Sequence, residues 1–78
     1  MRIVTGMTAF GTNVRKPGRV ELRRASTGVL VCVGHAAPGG TLVWDFRERP
    51  LVVPDGDRLV LSTRGARARL HRETRRDV

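Results

Sequence analysis

The stretch TLVWDFRERPLVVPDGDRLVLS, Thr41 to Ser62, decides the fold. Leu42, Trp44 and Phe46 occupy alternate positions, with Thr41, Val43 and Asp45 between them. Successive side chains of a strand point to opposite faces, so this spacing lays an apolar row on one side and a mixed row on the other. Leu59 and Leu61 repeat the pattern against Arg58, Val60 and Ser62. Between these two runs lies PLVV, bounded by Pro50 and Pro54, which reads as a short edge strand because proline cannot donate to a ladder. PDGD, Pro54 to Asp57, then supplies a turn.

The same grammar extends outward. Upstream, RVELRR places Val20 and Leu22 on one face and Arg19, Glu21 and Arg23 on the other. VLVCVG is apolar on both faces, which predicts a central strand. Downstream, Ala66, Ala68 and Leu70 alternate with Arg67, Arg69 and His71. Turn signals recur at Lys16–Arg19, Ser26–Gly28, Ala37–Gly40, Pro54–Asp57 and Thr63–Ala66, each pairing Gly with Pro, Ser, Thr or Asp. Short strands at such intervals, each with one solvated face, predict an all-β chain. The expected architecture is a small antiparallel β-sandwich or barrel, jelly-roll-like, of about six to eight short strands. No segment carries a helical pattern. RETRRDV, Arg72 to Val78, comes nearest, but it is short, uncapped and polar. The expected organisation is one domain over residues 1–72, with a charged tail over 73–78. Residues 1–14, MRIVTGMTAFGTNV, read either as a hairpin about Gly6 or as an arm ordered against a neighbour.

Composition narrows the function classes. A chain of 78 residues buries only about 60% of the surface its unfolded form exposes, so it is marginal alone. A lone cysteine, Cys32, excludes an internal disulfide, and with only His35 and His71 beside it a structural zinc site is not expected. Oligomerisation or docking on a larger assembly is the remaining route to stability. No apolar run is long enough for a membrane span or a signal peptide, so the expected site of synthesis is a reducing cytoplasm. The net charge of +8 comes from 14 Arg and one Lys against seven acidic residues, and it points to anionic partners.

The reactive residues form no constellation. Asp55 and Asp57 lack the further oxygens calcium wants and are explained by a Pro-Asp-Gly turn. Cys32 and His35, three apart on a strand, point to opposite faces. Gly6 and Gly11 form no phosphate-binding fingerprint. Trp44 reads as core. The chain is therefore expected to be non-enzymatic, with no metal or cofactor. Its candidate partner-binding residues are Arg67, Arg69 and His71 on the last strand and Arg19, Arg23 and Arg24 on RVELRR, and the alternative reading of the same residues is a solvated face that guards an apolar edge against aggregation. Guanidinium forks suit both carboxylates and phosphates. Nucleic acid is the second choice of partner, since no helix is available for a major groove and, of the aromatics, only Phe10 has no assigned place on an apolar face.

From Gly18 to His71 the order of motifs is VELR, an apolar strand, a Gly-Gly turn, TLVWDF, PLVV, LVLS and a last alternating strand. In this it resembles the small β-sandwich auxiliary proteins that decorate or cement tailed-bacteriophage virions. The resemblance rests on strand and turn patterns, not on reactive residues, and the strong positive charge departs from it. It implies a structural protein of the virion that binds the major capsid protein or other virion subunits, as a homo-oligomer or bound to their lattice, on capsid or tail.

Overall fold

The computed structural model describes residues 2–74, with side chains through Arg72. It is all-β, with seven strands: β1 (Arg2–Gly11), β2 (Gly18–Arg24), β3 (Leu30–Ala36), β4 (Thr41–Asp45), β5 (Leu51–Val53), β6 (Leu59–Arg64) and β7 (Ala66–Thr74). They form two antiparallel sheets packed face to face as a small β-sandwich. In the first sheet β1 is central. It pairs with β7 along one side and with β4 and β5, end to end, along the other. In the second sheet β2 lies between β3 and β6.

The predicted alternation becomes the core. Val20 and Leu22 of β2 are fully buried, and Val20 clusters with Met7 and Ala9 of β1 at its centre. Leu42 and Trp44 of β4, Cys32 of β3, Leu61 of β6 and Ala66, Ala68 and Leu70 of β7 pack around it. The indole of Trp44 reaches β3 at position 34, where only a glycine leaves room for it. A Cβ there would sit 2.0 Å from Cζ2 and 2.5 Å from Cη2 of the indole. The turns behave as their residues predict: the four positive-φ residues, Gly28, Gly39, Gly56 and Gly65, fall in four of the five predicted turns. Gly18 of the fifth instead opens β2.

Three expectations need correction. Residues 2–11 are neither a hairpin about Gly6 nor an arm, but one ten-residue strand paired on both sides. The misreading has a definite cause. Val4 faces Arg72 and Gly6 faces His71, so Thr5 is an extra residue in β1. This bulge shifts the phase of the pleat, and Val4 and Met7, three apart, both turn inward. Second, the apolar VLVCVG segment forms β3 at an edge, while the charged RVELRR segment forms the central β2. Third, Glu73 and Thr74, assigned to the tail, continue β7 opposite Ile3 and Arg2. The remainder of the tail, 75–78, lies outside the described residues. PLVV takes an edge position as β5.

One end of the sandwich is closed by a polar staple. Asp57 accepts from the backbone N–H of Ser26 (3.2 Å) and Arg58 (2.8 Å) and from Ser26 Oγ (3.0 Å). Arg24 of β2 reaches the Asp57 carboxylate at 3.5 Å and donates to the Val52 carbonyl of β5 at 3.3 Å, linking the two sheets. Arg2 of β1 donates to the Asp57 carbonyl.

Replacing Gly34 by valine drives a side chain into the Trp44 ring, and we expect a loss of about 1–3 kcal/mol, the range for overpacking a core. Urea denaturation followed by Trp44 fluorescence measures it. A variant as stable as the parent would mean the indole does not rest on β3.

Candidate interaction face

The outer face of the β4–β1–β7 sheet is built in three rows by the strand register. Thr41, Phe10 and Arg67 form one row; Val43, Thr8 and Arg69 the next; Asp45, Gly6 and His71 the third. The inner residues of the same strands are held by the core, so the outer ones are fixed by the pleat rather than by contacts of their own. Phe10 is 46% exposed and Val43 64%, both large apolar side chains in open solvent.

His71 is the ordered member of the stripe. Its Nε2 lies 2.7 Å from Thr8 Oγ1, a hydrogen bond in which either group can donate. Its ring crosses the bare backbone of Gly6, where an added Cβ would lie 3.5 Å from the imidazole and only 2.7 Å from the Trp44 carbonyl oxygen. Two shallow depressions result. One, of about 320 Å3, lies beside Phe10, Arg67 and Arg69. The other, of about 240 Å3, lies over Gly6 between Val43, Asp45 and His71.

The electrostatics of the face follow from its pairings. Asp45, its one carboxylate within the three rows, is gripped by Arg47 through Nε at 3.0 Å and Nη2 at 2.7 Å. These bonds hold the Asp45 carboxyl down at about 2 and raise the Arg47 guanidinium above its ordinary value. No carboxylate among the described residues lies within 4.0 Å of Arg67 or Arg69. Two cations, an exposed phenyl ring and an exposed valine thus share one flat surface.

The six candidate residues do not form one site. Arg67, Arg69 and His71 lie together on this face. Arg19 and Arg23 lie on the outer face of the other sheet, on the far side of the sandwich, and both grip Glu21, at 2.7 and 3.5 Å. Arg19's hydrogen bond is the largest cause of the lowered Glu21 pKa. Arg24 sits at an inward position of β2 opposite Leu59 and belongs to the Asp57 staple. The reading of Arg24 beside Arg19 and Arg23 on one binding face is therefore corrected. It failed because the alternation of β2 continues through Arg24, whose long side chain exits at the open end of the core instead of stopping inside it. The sequence reading also left out Phe10, Thr8 and Gly6, which the register of β1 brings beside the stripe. Their place beside the stripe is set by the long-range register of β1 on β7, which residue type does not encode.

Cys32 and His35 lie apart, on opposite faces of β3. Cys32 pairs with the buried Leu22, and burial pushes its thiol pKa up, whereas His35 is exposed opposite Arg19. No helix among the described residues is long and apolar enough to cross a membrane. Comparison with known proteins gave no matching family, no matching characterised protein and no matching solved structure.

The two kinds of arginine separate by stability. Arg67→Ala and Arg69→Ala should each change stability by less than about 0.5 kcal/mol, as for exposed side chains with no salt bridge among the described residues. Arg24→Ala should cost more than either. The staple also titrates. The Asp57 carboxyl is held below its ordinary value, chiefly by the Arg58 N–H, then by Ser26 and the charge of Arg24. A folded pKa below the unfolded one gives stability that is complete above about 3.9 and is lost as the pH falls through the folded value. The stability gap between the parent and Asp57→Asn should therefore be full at neutral pH and shrink in acid. Denaturant midpoints taken from pH 7 to pH 2 check it, and a constant gap would contradict it.

Proposed function

We infer that this chain is a non-enzymatic structural protein of a tailed-phage virion, which docks on capsid or other virion subunits through the outer face of the β4–β1–β7 sheet. The observation that carries the reading is the pair Arg67 and Arg69, two cations with no carboxylate among the described residues within 4.0 Å, beside exposed Phe10 and Val43. Guanidinium forks take carboxylates bidentately, and the apolar neighbours gain by leaving water. An anionic protein surface with an apolar centre matches both. The β-sandwich and the resemblance of Gly18–His71 to decoration and cement proteins support the same reading. A small domain gains further from such docking, because whatever binds only the folded state stabilises it. Repetition over a lattice then adds avidity without new contacts.

A second reading has one observation in its favour. Phe10 stands directly across from Arg67, the aromatic-plus-cation arrangement on which a nucleobase can stack while its phosphate is held.

The experiment is co-sedimentation with particles of the phage that encodes the chain, beside a titration with duplex and single-stranded DNA. The parent should pellet with the particles. Arg67→Glu with Arg69→Glu should bind at least about tenfold more weakly while its β-sheet circular dichroism is unchanged. DNA binding should be weak. Failure to pellet, or pelleting unaffected by the double substitution, would overturn the reading. Tight DNA binding that falls with salt, with a log–log slope of about −0.9 for each phosphate neutralised, would install the second in its place.

A further inference from the structure

We propose that β3 is a self-association edge, along which two copies of this chain pair antiparallel about a two-fold axis to form one continuous six-stranded sheet. Among the described residues β3 hydrogen-bonds to a strand on one side only, β2, so its other side offers a row of N–H and C=O groups that no described strand pairs. Native edges are usually blunted by charge, proline, brevity or a bulge. The other edges here follow that rule. β7 carries Arg67, Arg69 and Arg72, β6 ends in Arg64, and β4 ends in Asp45, which is locked to Arg47. β5 is three residues long between Pro50 and Pro54.

β3 departs from it. Its sequence LVCVGHA contains no Asp, Glu, Lys, Arg or Pro. The register slips once, between Leu22 and Arg23, leaving Val31 as the extra residue near its start. From Cys32 to Ala36 the strand runs regularly against Gly18–Leu22. Leu30 and Val33 are each 40% exposed, and Val29 just before the strand is 57% exposed.

Charge selects the occupant. A chain of net charge +8 repels its own copy over most of its surface. Among strands longer than three residues, β3 is the one where two copies can meet without bringing formal charges edge to edge. An acidic strand from another protein would instead be drawn to the arginines of β7. A two-fold pairs the same strand with itself in opposite directions, so uncharged backbone meets uncharged backbone and valine meets apolar neighbours. A seven-residue strand pair falls short of the roughly 1,200–2,000 Å2 that stable interfaces bury. The dimer therefore forms at high concentration and parts on dilution. This inference does not rest on the identity of the partner that meets the β7 face.

Sedimentation equilibrium of the purified chain over a concentration series tests it, with Val33→Lys placing like charges on the shared edge and Val43→Lys as a control on the opposite sheet. The parent should pass reversibly from 8.6 kDa to twice that mass. Val33→Lys should raise the dissociation constant at least tenfold, and Val43→Lys should leave it unchanged. Amide hydrogen exchange of the parent should show protection that grows with concentration within Cys32–Ala36 and not within β7, a readout independent of whether Val33→Lys folds. A parent that stays monomeric to about millimolar concentration, a dimer broken by Val43→Lys alone, or concentration-dependent protection on β7 instead would each overturn the proposal.

Discussion

Every other placement in this molecule depends on the two-sided pairing of β1. Its ten residues carry β7 along one side and both β4 and β5 along the other. A strand paired on both sides has its backbone groups satisfied without help from side chains, which frees the outer row for small or exposed residues. The extra residue at Thr5 then does two things. It turns Val4 and Met7 to the same inner side, and it aligns Gly6, Thr8 and Phe10 with His71, Arg69 and Arg67. A slip of one residue in this ladder would bury the arginines and expose Ala68 and Leu70. The core and the cationic stripe are thus two faces of one register.

Charge is not spread evenly over the sandwich. On the β2 face, Glu21 holds Arg19 and Arg23 together, and at one end Asp57 holds Arg24. Within the three rows of the β4–β1–β7 face Asp45 is already held by Arg47, and no carboxylate among the described residues lies within 4.0 Å of Arg67 or Arg69. Exposed ion pairs contribute little to stability, so the consequence of these pairings lies in where the uncompensated charge remains. A protein with a high net charge can in this way present one attractive face and still leave β3 free of formal charge.

Much of this was legible from residue type. Strand-by-strand alternation from Val20 to Leu70 located the inward rows of β2, β4, β6 and β7 but not the share that β1 gives the core through Ile3, Val4, Met7 and Ala9, and glycines at Gly28, Gly39, Gly56 and Gly65 marked where the chain reverses or changes sheet. What the sequence hid is equally physical. A period of two breaks at a bulge, so IVTGMTAF looks irregular although it is the most heavily paired strand. Apolarity on both faces suggested that β3 is central, yet strand order depends on which backbone edges are covered, and the charged outer row of β2 is solvated at no cost to a central position. Arg24 looked like part of a surface cluster because alternation predicts the face a side chain starts from, not where a long one ends.

Amide hydrogen exchange across the whole chain, read residue by residue by NMR under native conditions, addresses the role of β1 most directly. The slowest-exchanging amides should include those of β1 around Met7 and Ala9, exchanging no faster than those of β2 at Val20 and Leu22. If residues 2–11 exchanged like a free segment while β2 remained protected, the first sheet would lack its central strand, and the register that builds both core and stripe would be wrong.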